Sequence, residues 1–436
     1  MRSAILDEGK KGALLFWGVA LTLWGLVTIA LILGIVQDNQ IPVDASTYFE
    51  ALEDFAGGLA PYDSVTANQA IWRGYHTLEA QVLADVPRDE IRTDLAVPGP
   101  FIYPPTLLQI MDLLKITPAA FMLWLLASLI LFAWLWLKVT HLPASWLLLV
   151  VLSWDFLASF LGGNVEIILL SLALLGAYLL HGRRPIWSAP LIAFVVIVKP
   201  FYALFFVAFG VFLLANSGGK RKENLRSLLM SAAVTAAFLV SSVLLWPEWL
   251  RPLVFGYLRE GLAHTWYVLP LAEQTPMSLW NRTFMQGVVN LGVAASTAQV
   301  LSLVAWSLAT AVTAIQIARR ELPFPVLFAL GFLLLYWFRP VGWGLIFLDI
   351  VVLSAVWSLF SAAEKKWLLG GAVLLASSHW VAIVLTASQY WARFFTVQSA
   401  TFPFETWLVF PICWAILLVG VRRSQFDESS PGDTSG

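Results

Sequence analysis

Long apolar runs, each followed by a short polar segment, recur along almost the whole chain. A helix that crosses a bilayer needs about 20 apolar residues. On this basis the pattern predicts about twelve membrane-spanning helices and an all-α fold. The predicted spans are Gly12–Val36, Ala119–Leu137, Pro143–Leu161, Val165–Leu180, Ile186–Val198, Phe201–Ala215, Leu228–Leu245, Ala295–Ile317, Phe324–Phe338, Trp343–Phe360, Trp367–Ala387 and Trp407–Val421.

The positive charges between these spans follow a consistent order. With the N-terminus in the cytoplasm, every even-numbered span ends inside, and each of these ends carries Lys or Arg, as the positive-inside rule requires. The basic positions are Lys138, Arg183–Arg184, Lys220–Lys222, Arg319–Arg320, Lys365–Lys366 and Arg422–Arg423. The pattern therefore predicts that both termini are cytoplasmic.

Two long segments, about 37–118 and 246–296, then lie on the outer side. Connections of this length usually carry function or are disordered, and their aromatic content argues against disorder. We expect short helices there, above an outer-face cavity. Residues 1–423 form one integral-membrane domain, and the polar stretch 424–436 is expected to be a disordered cytoplasmic tail.

Composition supports this class of protein. Of the 436 residues, 59% are hydrophobic and only 12% are charged, with a mean hydropathy of +0.79, whereas soluble proteins carry about 25% charged residues. The net charge of −1 gives no sign of a nucleic-acid partner. The lone Cys413 cannot form an internal disulfide. The N-terminal apolar run is too long for a cleaved signal and indicates a retained anchor.

A single acidic residue, Asp44, follows the first span in the stretch "VDASTYFEALEDFAGGLAPYD". Its carboxylate is suited either to capping the next helix or to catalysis, and the residues alone leave both open. Nearby Glu50, Glu53 and Asp54 are expected to lie on a solvated helix face.

Other polar residues occur at predicted outer turns. In "FIYPPTLLQIMDLL", Pro104–Pro105 stop one helix and suit the start of another. This second helix is too short to span the membrane and fits an interfacial re-entrant helix. Tyr103 beside them fits this element or an interface belt of aromatic residues. In "GGNVE" the glycines make a turn, and Asn164 and Glu166 either cap the next helix or face the outer cavity.

Three cations also lie at outer positions. Lys199 either snorkels or pairs with a lipid phosphate. Arg282 ends "EQTPMSLWNR", and Arg339 lies between Trp337 and Trp343; an Arg here suits either a phosphate or solvent. No nucleotide-binding, zinc-protease or nucleophile-elbow motif and no Cys/His cluster is present in the sequence.

The ordered elements "VDASTYF", "APYD", "FIYPP", "GGNVE", "KP", "EQTPMSLWNR" and "RPVGW" resemble the GT-C glycosyltransferases that use polyprenyl-phosphate sugars. The chain is most similar to glycosyltransferase family 87, which includes mycobacterial mannosyltransferases acting on phosphatidylinositol mannosides. The resemblance spans Gly12 to about Ile350. It implies a GT-C bundle and an inverting transferase, with mannose the favoured sugar.

The resemblance also assigns roles to residues. Asp44 matches the catalytic base, Tyr48 the aromatic residue after it, and Tyr103 the re-entrant element. Substrate binding is expected at Tyr48, Tyr103, Asn164, Glu166, Gln274 and Trp343. Since a leaving phosphate needs positive charge, Arg339 and Arg282 are expected to bind the donor phosphate, with Lys199 a weaker candidate. No metal or other cofactor is expected.

The chain departs from the family pattern at several of these positions. Asn164 stands where Gln is usual, Glu166 where Asn is usual, and Glu273-Gln274-Thr275 where Asn-Gln-Ser is usual. No histidine follows "RPVGW", and Arg339 replaces a small residue. The sugar and the acceptor therefore stay open.

The transfer is expected to take place on the outer face of the plasma membrane. The donor is a polyprenyl-phosphate sugar, and the acceptor is a glycolipid or a lipid-linked glycan among the membrane lipids. The alternative function is a secondary transporter or flippase that uses Asp349 and Asp155 as coupling carboxylates. Transporters usually show repeated halves, and the sequence contains no evident repeat.

Overall fold

The computed structural model describes residues 2–38, 40–57, 106–152, 154–217, 220–245, 283–318, 322–338 and 413–422, with a few positions between 354 and 365. Within these ranges the chain is helical and contains no strand. The helices are α1 (Arg2–Asp38), α2 (Val43–Ala56), α3 (Thr106–Leu113), α4 (Pro118–Thr140), α5 (Leu147–Leu152), α6 (Trp154–Gly162), α7 (Glu166–His181), α8 (Pro185–Val198), α9 (Tyr202–Ala215), α10 (Arg221–Leu245), α11 (Phe284–Asn290), α12 (Ala295–Ile317), α13 (Phe324–Phe338) and α14 (Cys413–Arg422).

Four of these helices are long and apolar enough to cross a membrane, over Gly12–Asp38, Pro118–Thr140, Arg221–Ser241 and Thr297–Ile317. Shorter apolar helices occur at α7, α8, α9, α13 and α14. The polytopic all-α class expected from the sequence is thus confirmed. The number of twelve spans stays a prediction, because most of 343–412 lies outside the described residues.

The predicted span Pro143–Leu161 is helical from Ala144 onward over its described residues. It begins with a 3-10 turn at Ala144–Trp146 and continues as α5 and α6, and residue 153 between them lies outside the described residues. The helix expected after Pro105 is confirmed as α3, with Leu107, Leu108 and Met111 buried.

Helix α13 forms the centre of the described bundle. Almost all of its residues are buried, as expected for a helix that is apolar on every face. Phe328 of α13 lies 5.1 Å between ring centroids from Phe205 of α9, and a Cβ at Gly331 would come within 3.2 Å of the same ring. Small and aromatic residues thus let these two helices pack closely.

By contrast, α1, α10 and α12 expose rows of apolar side chains, among them Leu26, Leu229 and Leu308. Exposed leucines along a long helix suit contact with lipid chains. Polar bonds join other helices: the Ser171 hydroxyl of α7 donates to the Ser128 carbonyl of α4 at 2.6 Å. Such bonds help to hold helices together where water is absent.

The two ends of α7 have different polar surroundings. Near its C-terminal end, Arg183 pairs with Glu223 at the start of α10. Asn216 likewise bonds to the backbone of Leu322, accepting from its N–H at 2.9 Å. These contacts join segments that the charge pattern assigns to the cytoplasm. The N-terminal end of α7 lies in a segment that the same pattern assigns to the outer side. The membrane orientation itself stays a prediction.

Candidate active site

Helix α2 presents Asp44 at its first turn. It starts after Pro42, the N-cap residue, which makes no side-chain capping bond. Ala45, Tyr48 and Phe49 are buried, and Glu50 and Asp54 are exposed. The exposed acidic face is the one expected from the sequence. Asp44 itself is partly buried, on the side of α2 that faces the protein.

Two glycines form the surface against which α2 packs. Gly163 has φ of +72° in the turn after α6, where the Asn164 N–H donates to the Ser159 carbonyl at 2.8 Å. Glycine adopts this left-handed conformation without strain and commonly ends a helix in this way. A Cβ at Gly163 would lie 2.7 Å from the Cβ of Ala45. A Cβ at Gly162 would lie 3.1 Å from Oδ2 of Asp44. The glycine pair therefore makes the turn and also lets Asp44 approach it.

Asn164 connects Asp44 to helix α7. Its Nδ2 donates to Oδ2 of Asp44 at 2.9 Å, and its Oδ1 accepts the backbone N–H of Glu166 at 2.8 Å. One amide thus satisfies a free donor at the start of α7 and orients the carboxylate of Asp44. Among the described residues, Asn164 is the hydrogen-bond partner that the structure shows for Asp44. The carboxylate is directed away from its own helix, which weakens the capping alternative.

Tyr48 makes a second connection one turn later in α2. Its hydroxyl accepts the N–H of Val165 at 3.3 Å, and its ring lies edge-on to Phe121 with centroids 5.8 Å apart. The side chain is 1% exposed. Tyr48 therefore anchors α2 to the beginning of α7, and its described contacts are with the protein.

Glu166 and Lys199 form a buried ion pair. Oε1 of Glu166 also accepts the hydroxyls of Tyr202 at 2.9 Å and Tyr336 at 3.0 Å. Neither interpretation of Lys199 from the sequence, snorkelling or pairing with a lipid phosphate, anticipated this partner. Sequence reasoning also missed the two tyrosines. The one available signal is that Tyr202 follows Lys199 by three residues at a helix start.

The environment of Asp44 makes its carboxylate a stronger base. Burial raises the pKa of Asp44 above its usual value, and the hydrogen bond from Asn164 and the positive charge of Lys199 partly offset this effect. A carboxylate with a raised pKa holds a proton more firmly, and perturbed groups of this kind are common at functional sites. The arrangement can accept a proton from a hydroxyl group that reaches Asp44.

The remaining site residues of the sequence analysis lie outside the described residues, namely Tyr103, Gln274, Arg282, Arg339 and Trp343. The same holds for Asp349 of the transporter alternative, and Asp155 lies on α6 with no described side-chain environment. The outer-face cavity expected to join Asp44, Tyr103 and Arg339 therefore stays a prediction. Within the described ranges no group of three or more His, Cys, Asp or Glu residues could hold a metal ion.

Comparison with known families gives one match. The model of Glycosyltransferase family 87 matches residues 101–272. Over this part of the chain, the match agrees with the family expected from the sequence. The matched part contains Asn164, Glu166 and Lys199, and Asp44 and Tyr48 precede it. The family indicates a glycosyltransferase. The search of curated proteins found no match, and the search of solved structures found none.

Proposed function

We propose that this glycosyltransferase transfers a sugar, with mannose favoured, from a polyprenyl-phosphate donor to a glycolipid or lipid-linked glycan, with inversion at the anomeric carbon. The reaction takes place on the outer face of the plasma membrane, with both termini in the cytoplasm. Asp44 acts as the general base. The proposal rests on the family match, the polytopic fold and the position of Asp44.

In the proposed reaction Asp44 removes the proton of an acceptor hydroxyl. The hydroxyl oxygen attacks the anomeric carbon and forms the new glycosidic bond. The bond from that carbon to the phosphate oxygen breaks, and the polyprenyl phosphate leaves with the electron pair. A positioned base typically contributes about 10²–10⁴-fold to the rate of such a step. No metal is required in this scheme.

The observation that carries the proposal is the bond between Asp44 and Asn164. It fixes a partly buried carboxylate of raised pKa at the meeting point of α2 and the start of α7. The capping alternative for Asp44 has less support, because this bond leads away from α2. A base held by a rigid helix end is suited to a defined acceptor geometry.

The leaving phosphate requires cations, and we propose Arg282 and Arg339 for this role. Their planar guanidinium groups match phosphate oxygens. Lys199 is the weaker candidate, because its ion pair with Glu166 already offsets its charge. Tyr103, Gln274 and Trp343 are proposed to contact the sugar or the acceptor, together with Asn164 near the base.

The substitution Asp44→Asn tests the base. The new side chain can still accept the bond from Asn164, so the turn and α2 should stay in place. We expect sugar transfer to fall by about 10²–10⁴-fold. Purified protein in lipid, a panel of polyprenyl-phosphate sugars, a cell lipid extract and mass spectrometry of new glycolipids would measure it. Donor binding should persist.

Stability supplies an internal control for this experiment. Because burial raises the pKa of Asp44, ionising it at neutral pH costs the folded state free energy. Asp44→Asn should therefore be at least as stable as wild type at neutral pH. That gain in stability should vanish below the ordinary Asp pKa of about 3.9, where wild-type Asp44 is protonated in both the folded and the unfolded state.

Glu50→Gln and Asp54→Asn, on the exposed face of α2, are the activity controls and should keep most activity. Near wild-type transfer by Asp44→Asn would refute the mechanism.

A further inference from the structure

Glu166 is a buried carboxylate to which the proposed reaction gives no chemical step. The residue is 6% exposed. One carboxylate oxygen accepts the hydroxyls of Tyr202 and Tyr336, and the other pairs with the Lys199 ammonium. A buried ion pair is seldom the most stabilising choice, since apolar residues of similar volume often pack as well or better. This cost points to a role for the pair beyond packing.

The network joins the ends of four helices. Glu166 is the first residue of α7, Lys199 follows the last residue of α8, Tyr202 begins α9, and Tyr336 lies near the end of α13. Two tyrosine hydroxyls on one oxygen fix the carboxylate plane, so the other oxygen has a defined direction. The Lys199 ammonium is held along that direction.

The same turn holds the carboxylate of Asp44. Asn164 binds Asp44 through its Nδ2 and the Glu166 N–H through its Oδ1. Glu166 and Asp44 therefore have a fixed spacing set by a single side chain. Lys199 is near enough to Asp44 for its charge to lower the pKa of that carboxyl. One ammonium thus acts on two carboxylates.

We infer that Glu166 is a positioning residue of the transfer reaction, which holds the Lys199 ammonium beside the carboxylate of Asp44. This inference rests on the proposed role of Asp44 as the base. In this arrangement the ammonium favours the ionised, proton-accepting form of Asp44. The ion pair holds the Lys199 ammonium at the protein's own carboxylates, which agrees with Arg282 and Arg339 serving the donor phosphate.

The substitution Glu166→Gln tests the inference. Its amide oxygen can still accept from Tyr202 and Tyr336, but the negative charge that holds Lys199 is lost. We expect kcat to fall by about 10- to 100-fold, since small displacements at a reacting centre cost up to about 10²-fold. The KM for the donor should stay close to wild type. A purely structural role would lower thermal stability and leave kcat per folded molecule unchanged.

A double-variant comparison tests whether the two residues act through each other. Lys199→Met should lower kcat by a similar factor, and Glu166→Gln combined with Lys199→Met should lower it no further. Glu223→Gln is the matched control. It breaks the ion pair with Arg183 at the opposite end of α7 and should leave kcat unchanged.

Several outcomes would overturn the inference. One is a wild-type kcat in folded Glu166→Gln. Another is an unchanged kcat with a lower donor KM, which would assign Lys199 to the phosphate. If Glu166→Gln does not fold, Tyr336→Phe is the alternative variant, because it removes one hydrogen bond to Glu166 and keeps the ion pair. Tyr336→Phe should lower kcat by a smaller factor. An unchanged kcat in Tyr336→Phe would count against the inference. If Asp44→Asn is inactive and Glu166→Gln is fully active, the positioning role of Glu166 is rejected and the role of Asp44 as the base is kept. If Asp44→Asn is active and Glu166→Gln is impaired, the proposed role of Asp44 as the base is rejected instead.

Discussion

Replacing Gly163 with Ala should disable the enzyme by displacing Asp44, although residue 163 touches no substrate in the proposed reaction. Gly163 has φ of +72°, where a residue with a Cβ costs about 1–2 kcal/mol. The new Cβ would also meet the Cβ of Ala45 at 2.7 Å. Carbon atoms prefer separations of about 3.5–4.0 Å, so the start of α2 must move by roughly 1 Å.

That movement carries the neighbouring Asp44 with it. A displacement of 1 Å at a reacting group costs about 10²-fold in rate. We therefore expect Gly163→Ala to lower the transfer rate by about 100-fold and to lose about 1–2 kcal/mol of stability. Transfer by the purified variant in lipid, beside its thermal unfolding, would measure both quantities.

Gly292 provides a matched control for the backbone strain. Its φ is +88°, but a Cβ there would meet no atom within 4 Å. Gly292→Ala should therefore lose similar stability and keep its activity. Adding Ala45→Gly to Gly163→Ala removes the closest contact and should restore part of the rate without restoring the backbone cost. Equal activity of Gly163→Ala and Gly292→Ala would refute the reasoning.

Two further predictions concern pH and topology. Asn164→Ala removes a hydrogen bond that lowers the pKa of Asp44, so this pKa should rise and the acidic limb of the kcat/KM profile should move to higher pH. Thr117→Ala is the control, because it removes a comparable side-chain cap from the start of α4. It should cost about 0.5–2 kcal/mol of stability and leave the acidic limb of the kcat/KM profile in place. An unmoved acidic limb in Asn164→Ala would argue against Asp44 as the titrating base. In a Cys413→Ser background, single cysteines replacing Ser64 and Ser217 should differ in labelling: an impermeant reagent should reach only position 64 in intact cells, and the reverse result would reject the orientation.

Sequence patterns predicted helix ends well where a run of apolar residues stops at a clear polar or proline boundary. The predicted runs Ala295–Ile317 and Phe324–Phe338 coincide with α12 and α13. The predicted run Pro143–Leu161 is likewise helical from Ala144 in its described residues, as a 3-10 turn followed by α5 and α6. The short α3 was predicted from its prolines, which mark helix boundaries through fixed backbone geometry.

The site was only partly predictable. Asp44, Asn164, Glu166 and Lys199 were each chosen from the sequence, but their bonds were not. Asp44 and Asn164 are separated by 120 positions, and Glu166 and Tyr336 by 170. Hydropathy indicates which residues lie at helix ends and carries no information on which ends are neighbours. The Glu166–Lys199 pair therefore required the three-dimensional structure.

The three influences on Asp44 come from distant parts of the chain and act in opposite directions. Burial between α2 and the glycine turn raises its pKa, and Asn164 and Lys199 lower it. The position at the first turn of α2 also favours the ionised form, because a helix N-terminus attracts negative charge. A general base works best when it is ionised at the working pH yet binds a proton more firmly than an ordinary carboxylate. Burial alone would make Asp44 too easily protonated, and full exposure would leave it a weak base. The turn Gly162–Asn164 packs against Asp44 and supplies the compensating hydrogen bond, and Lys199 adds its charge from the end of α8, so two separate helix ends together set the strength of the proposed base.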